Sequence, residues 1–365
     1  MPPFGRRGLG RRMRDWFAQK KPLVARELRR LLEQRRSDFS RINGWGPDVC
    51  TRLRNFAGRG KMVRGGLLLL GYEMHAGRAA PAAVTRAAAA LEIIHSSLLI
   101  HDDIMDNDRL RRGARTVFAQ YEQVGRARRA AEPGRFGLSM GICAGDVGYF
   151  VAWDILSRLP LDPAARAALL AIVSRELAYV GLAQMQDIAF GAFARTPARD
   201  EVIALYLHKT ARYTFSLPLM AGALLAGADA AERRRLGELG ERLGVIFQVR
   251  DDDLGVFGTE EETGKPVGSD IREGKKTLLY IELFRKARGA ERKELEALFG
   301  KASLSRAEAA RVRAAIEKLG ARRTLDSMLA GLAEDAHRMI GALPISAAHA
   351  AVLQDICERS LQRNR

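Results

Sequence analysis

Cysteine is scarce: Cys50, Cys143 and Cys357 are the only three in 365 residues. An odd number so widely spaced builds neither a disulfide framework nor a zinc site with its short Cys/His spacings, and a reducing cytoplasm is the simplest home. Aromatic residues make up only 7% of the chain. A nucleic-acid binder interleaves base-stacking rings with its basic runs, and near the N-terminus Phe4, Trp16 and Phe17 are the only candidates, so no nucleic-acid partner is expected. No run reaches the ~18 uncharged apolar residues of a membrane-spanning helix, and no transmembrane segment is expected. The nearest, residues 213–227, holds Ser216 and Pro218. Alternating β-branched runs are scarce, and a fixed-period repeat and a low-complexity linker are missing. The segment 258–265 imitates a phosphate-binding P-loop, but it has five residues between its glycines where that motif has four, and Pro266 where Ser or Thr is needed.

What is present is helical and basic. With 47% hydrophobic residues the chain is neither disordered nor fibrous. The formal charge is +17, and the first thirty residues supply +8 of it without an apolar segment of the secretory type. Residues 1–20 therefore read as a basic, flexible arm, with peripheral contact to an anionic membrane as its alternative use. The remaining charge, about +9, points to an anionic ligand on the body. Apolar residues recur at three- and four-residue spacing from about residue 20, which predicts an all-α fold and one helical domain over residues 21–365. Pro81 opens a long central helix that runs through residue 106, and Ser305 with Glu308 caps another that Gly320 closes. Residues 258–276, polar and punctuated by glycine, read as a loop or lid at the edge of a site.

Two carboxylate clusters carry the chemistry. In His101-Asp102-Asp103-Ile104-Met105-Asp106, the helical period of about 100° per residue places Asp102 and Asp106 on one face, with His95 within ~20° of Asp102. Like charges one turn apart repel, so such a face wants a cation, and hard oxygen ligands alone favour Mg²⁺ completed by substrate phosphates. A solvated helix end paired with Arg109, Arg111 and Arg112 is the bland alternative. The second cluster is Gln248-Val249-Arg250-Asp251-Asp252-Asp253-Leu254-Gly255. Here Asp251 and Gln248 share a side, Asp252 flanks it, and Asp253 points about 160° away and is not counted as a ligand. Two such clusters, each followed by basic residues, suggest facing walls of one cleft that holds Mg²⁺ and a polyphosphate.

These motifs, with Gly60-Lys61-Met62-Val63-Arg64 upstream and the lysines after residue 263, resemble the trans-isoprenyl diphosphate synthases of the polyprenyl synthetase family, and geranylgeranyl diphosphate synthases in particular. The resemblance runs from about Gly60 to Thr277. It implies an isoprenoid-synthase-type helical bundle with a central cleft and a homodimer. It also implies head-to-tail condensation of isopentenyl diphosphate with an allylic diphosphate. By the same resemblance, Gly60, Lys61, Arg64, His95 and Arg112 bind isopentenyl diphosphate. Asp102, Asp106 and Asp251, with Asp103 and Asp252, hold Mg²⁺, three ions with substrate bound. Arg111, Lys209, Thr210, Gln248, Lys265 and Lys275 bind the allylic diphosphate, and Lys209, Arg111 and Lys265 assist its departure. The role of Gln184 with Asp187 stays open, and His101 is expected to orient Asp102.

Two departures stand out. Gly65 follows Arg64 where the family usually has proline, and Gly255 stands where the second motif often has a third aspartate. A non-catalytic family subunit is the reading that Gly255 would favour. Ser97 and Leu98 occupy the positions that set product length in the family, and no aromatic lies between Leu91 and Ile100 to stop growth at fifteen carbons. A floor at Ile94, or from Tyr149, Phe150 or Trp153, fits a twenty-carbon product, with twenty-five or more as the alternative. A terpene cyclase would also use aspartate motifs and Mg²⁺, but it has no second diphosphate for Lys61, Arg64, His95 and Arg112 to hold.

Overall fold

The structure, a computed structural model, describes residues 11–259, 268–301 and 303–362. It is all-α apart from a two-stranded hairpin. The helices are Arg11–Phe39 (α1), Trp45–Gly58 (α2), Val63–Ala76 (α3), Ala82–Met105 (α4), Val117–Ala127 (α5), Pro133–Ser157 (α6), Pro163–Ala192 (α7) and Arg199–Tyr206 (α8). A π-helix, Leu207–Ser216, continues α8, and Leu217–Leu225 (α9) and Ala230–Phe257 (α10) follow. The rest of the chain forms Ser269–Glu273 (α11), Leu278–Lys286 (α12), Gly289–Leu298 (α13), Arg306–Lys318 (α14), Ala321–Gly341 (α15) and Ala347–Leu361 (α16).

Two compact units are distinguished. The first comprises Asp15–Ala171 and Ala221–Ala228. Its centre is α3 and α4, on which Leu67 to Leu70 and Ala87 to Leu91 are essentially without solvent contact. Each such leucine contributes about 1.5–3 kcal/mol of transfer free energy. Helix α6 packs on α4 where its residues are small. A Cβ on Gly148 would sit 3.2 Å from Leu53 Cδ2 and overlap the Ser97 hydroxyl, so only glycine lets the two helices approach this closely. The second unit comprises Ile172–Met220 and Asp229–Arg365 with the N-terminal stretch through Arg14. Its centre is α10 against the π-helix, joined at Gly244, where a Cβ would collide with Ala211.

Pro81 does precede α4, which ends at Met105 with Asp106 as its C-terminal cap. Ser305 and Glu308 cap α14 reciprocally, and Gly320, at φ +67°, ends that segment. Helix α1, however, begins at Arg11, inside the stretch read as an arm. The backbone N–H groups of Arg12 and Met13 donate to Asp355 at 2.9 and 3.2 Å, and Lys20 pairs with Glu73 at 2.9 Å. The two bonds to Asp355 stabilise a first turn whose donors would otherwise be orphaned. The remainder of that arm, residues 1–10, lies outside the described residues.

The expectation about apolar runs also needs correction. By length and composition, three helices among the described residues are long and apolar enough to cross a membrane: Ala82–Met105, Pro133–Ser157 and Pro163–Ala192. None coincides with residues 213–227. An isolated charge such as Arg86 or Glu92 interrupts an uncharged run without lowering the mean hydropathy of a window enough to matter. The apolar window of α4 is 67% buried inside the fold, against 39% for α6 and 33% for α7.

Candidate active site

In the first unit the chain turns sharply between α2 and α3. Met62 adopts the left-handed conformation at φ +55°, and the Gly60 N–H donates to the Ala57 carbonyl at 2.8 Å. Gly60 has no side chain where Arg112 comes closest: a Cβ there would lie 3.4 Å from Arg112 Nη1. Arg112 itself sits at the tip of the hairpin formed by Leu110–Arg111 (β1) and Ala114–Arg115 (β2). Positive φ at both Arg112 and Gly113, +53° and +70°, suits the tight two-residue turn of such a hairpin.

His95 completes the group. It is part-exposed, its Nδ1 is buried, and burial together with the charges of Arg64, Arg112 and Arg111 holds its pKa well below the usual imidazole range. A neutral imidazole among three guanidinium groups donates and accepts hydrogen bonds without adding to their repulsion. Beneath them lies Glu92, 3% exposed, whose carboxyl accepts the Gly65 N–H at 2.8 Å. Burial pushes its pKa up, opposed by that N–H and by Arg64 and Arg112. Three cations against the two buried carboxyls of Glu92 and Asp103, both pushed up in pKa by burial, leave a positive site able to take an anion. Glu92 was missed in the sequence. Its signal was a lone acid in an apolar helix, three residues before His95.

One stripe of α4 stays open to solvent. His95, Leu98 and Asp102 are part-exposed and Asp106 is exposed, at the spacing read from the sequence, while Ile94, Ser97, Ile100 and Asp103 are buried. Leu98 therefore lies one turn from Asp102 on the open stripe. Ser97 bonds its hydroxyl to the Ile93 carbonyl at 3.1 Å and packs on Gly148. Asp103, grouped by resemblance with the metal ligands, has no exposed surface and accepts a short hydrogen bond from Arg111 Nε. Burial, only partly offset by Arg111, pushes its pKa up to about 6. Asp103 thus orients Arg111, and the open carboxylates of this motif are Asp102 and Asp106. His101 turns towards α6, with Nε2 3.1 Å from the Ile142 carbonyl oxygen and 3.6 Å from Asp146. Of the aromatic residues on that helix, Tyr149 lies beside His101 at 5.6 Å and Phe150 is 73% exposed.

The second unit holds the other motif. Lys209 and Thr210 lie in the π-helix, a bulged geometry that re-aims side chains and recurs at functional sites. Lys209 donates a short hydrogen bond to Asp187, which gives that aspartate a partner. A relay follows: Thr210 donates to Gln248 at 2.8 Å, Gln248 donates to Asp252 at 2.9 Å, and Tyr206 donates a short bond to the same carboxylate. Asp252, 9% exposed, is pushed up to about 8 by burial and then by the charge of Asp270. Tyr206, pinned also by the Leu278 N–H at 3.0 Å, carried no sequence signal. Like Asp103, Asp252 is a buried, partnered carboxylate, whereas Asp251 is exposed. Asp253 points elsewhere, to Arg322 at 2.7 Å, in agreement with its exclusion. Lys275 pairs with Glu273 at 3.0 Å and Asp270 at 3.4 Å. Lys265 lies outside the described residues.

In the first unit Asp102 and Asp106, and in the second Asp251, are carboxylates with solvent-exposed surface, and hard oxygens of this kind suit Mg²⁺. Among the described residues no three His, Cys, Asp or Glu side chains gather into a ready-made metal cage. A surface hollow of about 400 Å³ lined by Glu238, Arg242, Asp335 and Arg338 contains none of the candidate residues.

Residues 51–319 match the family model described as polyprenyl synthetase. The chain is 37% identical over 217 residues to a short chain isoprenyl diphosphate synthase of Methanocaldococcus jannaschii, covering 60% of this chain and 61% of the relative. It is 34% identical over 258 residues to a geranylgeranyl diphosphate synthase of Sulfolobus acidocaldarius, covering 69% and 72%. A crystal structure of geranylgeranyl pyrophosphate synthase from Corynebacterium glutamicum, complexed with isoprenyl diphosphate and magnesium, superposes with a TM-score of 0.86. It is 31% identical and covers 94% of this chain and 98% of its own. The motifs, the all-α fold and these likenesses agree, and the chain belongs to the polyprenyl synthetase family.

Proposed function

We propose that this protein is a prenyltransferase that condenses isopentenyl diphosphate with an allylic diphosphate to give a linear product, geranylgeranyl diphosphate, of twenty carbons. The observation that carries the reading is the gathering of Arg64, Arg111 and Arg112 around His95, a positive site with a neutral hydrogen-bonding centre. Lys61, Arg64, His95 and Arg112, with the backbone at Gly60, hold isopentenyl diphosphate, so that its double bond is positioned for attack. Arg111, steered by Asp103, and Lys209, Thr210, Gln248, Lys265 and Lys275 receive the allylic diphosphate. Arg111, Lys209 and Lys265 stabilise charge on the diphosphate as the carbon–oxygen bond breaks. Asp102, Asp106 and Asp251 would hold Mg²⁺, three ions with substrate bound, which supplies charge neutralisation to the leaving group. The protein's compartment in this reading is the cytoplasm. A homodimer is supported by apolar side chains left exposed on α6 (Ile142, Phe150) and on α7 (Leu182, Met185).

Product length follows from the open stripe of α4. Leu98, one turn and about 5.4 Å from Asp102, is aliphatic and lets a chain pass. The test is incubation of purified protein with Mg²⁺, labelled isopentenyl diphosphate and, separately, five-, ten- and fifteen-carbon allylic primers. A discrete twenty-carbon product is expected. A ladder reaching twenty-five carbons or more would keep the reaction and overturn the length. No incorporation with any primer would overturn the activity in favour of a non-catalytic subunit.

A further inference from the structure

The second aspartate motif runs Asp251-Asp252-Asp253-Leu254-Gly255 and ends without a carboxylate. The space beside Gly255 is nevertheless filled by one. A Cβ built on Gly255 would stand 2.8 Å from Asp270 Oδ1 and overlap the rest of that carboxylate group. An aspartate at 255 and Asp270 in its present position are therefore mutually exclusive.

Asp270 does not drift into this place. It lies on α11, a single turn with Gly268 and Gly274 in left-handed conformations at its two ends. Ile271 beside it is fully buried, its carbonyl accepts the Gly300 N–H at 2.8 Å, and the Asp270 carbonyl accepts the Lys275 N–H at 3.0 Å. Lys275 Nζ stands 3.4 Å from Oδ1. Asp251 and Asp252 are both close enough to feel the charge of Asp270. The fold thus delivers a carboxylate to the last turn of α10 from another segment.

We propose that Asp270 supplies the carboxylate that the second motif lacks at Gly255, and that it orients the waters of the Mg²⁺ ion held by Asp251 when diphosphate is bound. The inference rests on the metal–diphosphate reading above. Gly255 is then the residue that makes room for the replacement, rather than the mark of a crippled site. Carboxylates at one remove from a metal typically govern its affinity by 10- to 100-fold.

The experiment is calorimetric titration of Mg²⁺ and inorganic diphosphate into the intact protein, with Mn²⁺ binding followed by electron paramagnetic resonance as a second readout that needs no turnover. Asp270→Asn is expected to weaken Mg²⁺-dependent diphosphate binding at least about tenfold. In an Asp270→Ala background, which empties the space beside residue 255, adding Gly255→Asp should recover most of the loss because a carboxylate returns there, whereas adding Gly255→Asn should not. Wild-type affinity in Asp270→Asn, or a double variant no better than the single one, would overturn the proposal. Should Asp270→Asn fail to fold by circular dichroism, Gly255→Ala tests the same point, because its methyl group displaces the Asp270 carboxylate without changing the charge. Weakened binding is expected there, and unchanged binding refutes. If the wild-type protein itself shows no Mg²⁺-dependent diphosphate binding, the functional reading has failed, and not merely the role of Asp270.

Discussion

Replacing Gly65 by proline, the residue usual in the family that this motif resembles, should destabilise the protein. Gly65 stands in the first turn of α3, where proline is ordinarily tolerated because the backbone N–H there lacks an intrahelical acceptor. Here that N–H has a partner, the buried carboxyl of Glu92 at 2.8 Å. Removing a donor from a buried carboxyl costs about 1.5–3 kcal/mol. The ring also needs space that is filled: a Cβ would meet Val24 Cγ1 at 2.9 Å and the Ala88 carbonyl oxygen at 3.3 Å. Overpacking of that kind costs about 1–3 kcal/mol. The sum is about 2.5–6 kcal/mol, or a Tm lower by about 3–8 °C for a chain of 365 residues. Gly65→Ala keeps the N–H and should lose only the packing part, about 1–2 kcal/mol after the gain in helix propensity. Thermal unfolding followed by circular dichroism at 222 nm measures both. In a Glu92→Leu background, which removes the acceptor of the Gly65 N–H, the proline penalty should shrink, because the two changes act on one interaction. A Gly65→Pro protein melting within 2 °C of the wild type, or above it, would refute the reasoning.

On the open stripe of α4, Leu98→Phe should shift the main product from twenty to fifteen carbons in the primer assay. Ser97→Phe, one residue earlier, should instead lower stability by about 1–3 kcal/mol or more, because Ser97 is fully buried against Gly148. Lys209→Ala should reduce kcat about 10²–10³-fold while leaving the KM for isopentenyl diphosphate nearly unchanged, as steady-state kinetics with each substrate varied in turn would report. Asp252 makes stability depend on pH in the metal-free protein. Its folded pKa of about 8 lies above the unfolded carboxylate range, so between about pH 4 and 8 the native state binds more protons than the unfolded one. The contribution from burying the neutral acid is complete below that window and is lost as pH rises through it. Asp252→Asn should flatten this part of the profile of Tm against pH, and an unchanged slope would count against a protonated, buried Asp252.

What was legible in the sequence was local. The single period of α4 put His95, Asp102 and Asp106 on one stripe, and the same geometry excluded Asp253, which the structure gives to Arg322. The caps of α4 and α14 were readable because a cap and its helix are neighbours in the chain. The spacing did not show which carboxylates of each motif stay open. Asp103 and Asp102 differ by one position, yet one is buried under Arg111 and the other faces solvent, a difference set by the hairpin that returns Arg111 over the end of α4. The π-helix was invisible as well, since its residues keep a helical composition and its bulge is stabilised from outside by Gly244 and by the pairing of Arg212 with Glu176 and Glu241.

The remaining misreadings share one cause. The start of α1 is held by Asp355, more than 340 residues away, so a basic stretch with no local anchor read as an arm. Glu92 meets Gly65 across 27 residues, and Asp270 fills the space at Gly255 from a turn that follows the motif. In both motifs that depart from the family's usual residues, the substitution to glycine coincides with a carboxyl group arriving from elsewhere in the fold. A glycine that replaces proline frees an N–H for Glu92, and a glycine that replaces aspartate frees a volume for Asp270. The chemistry of a position is therefore fixed by which groups occupy its space, and a motif scored only along the chain counts as losses two substitutions that the fold uses to admit a carboxyl group.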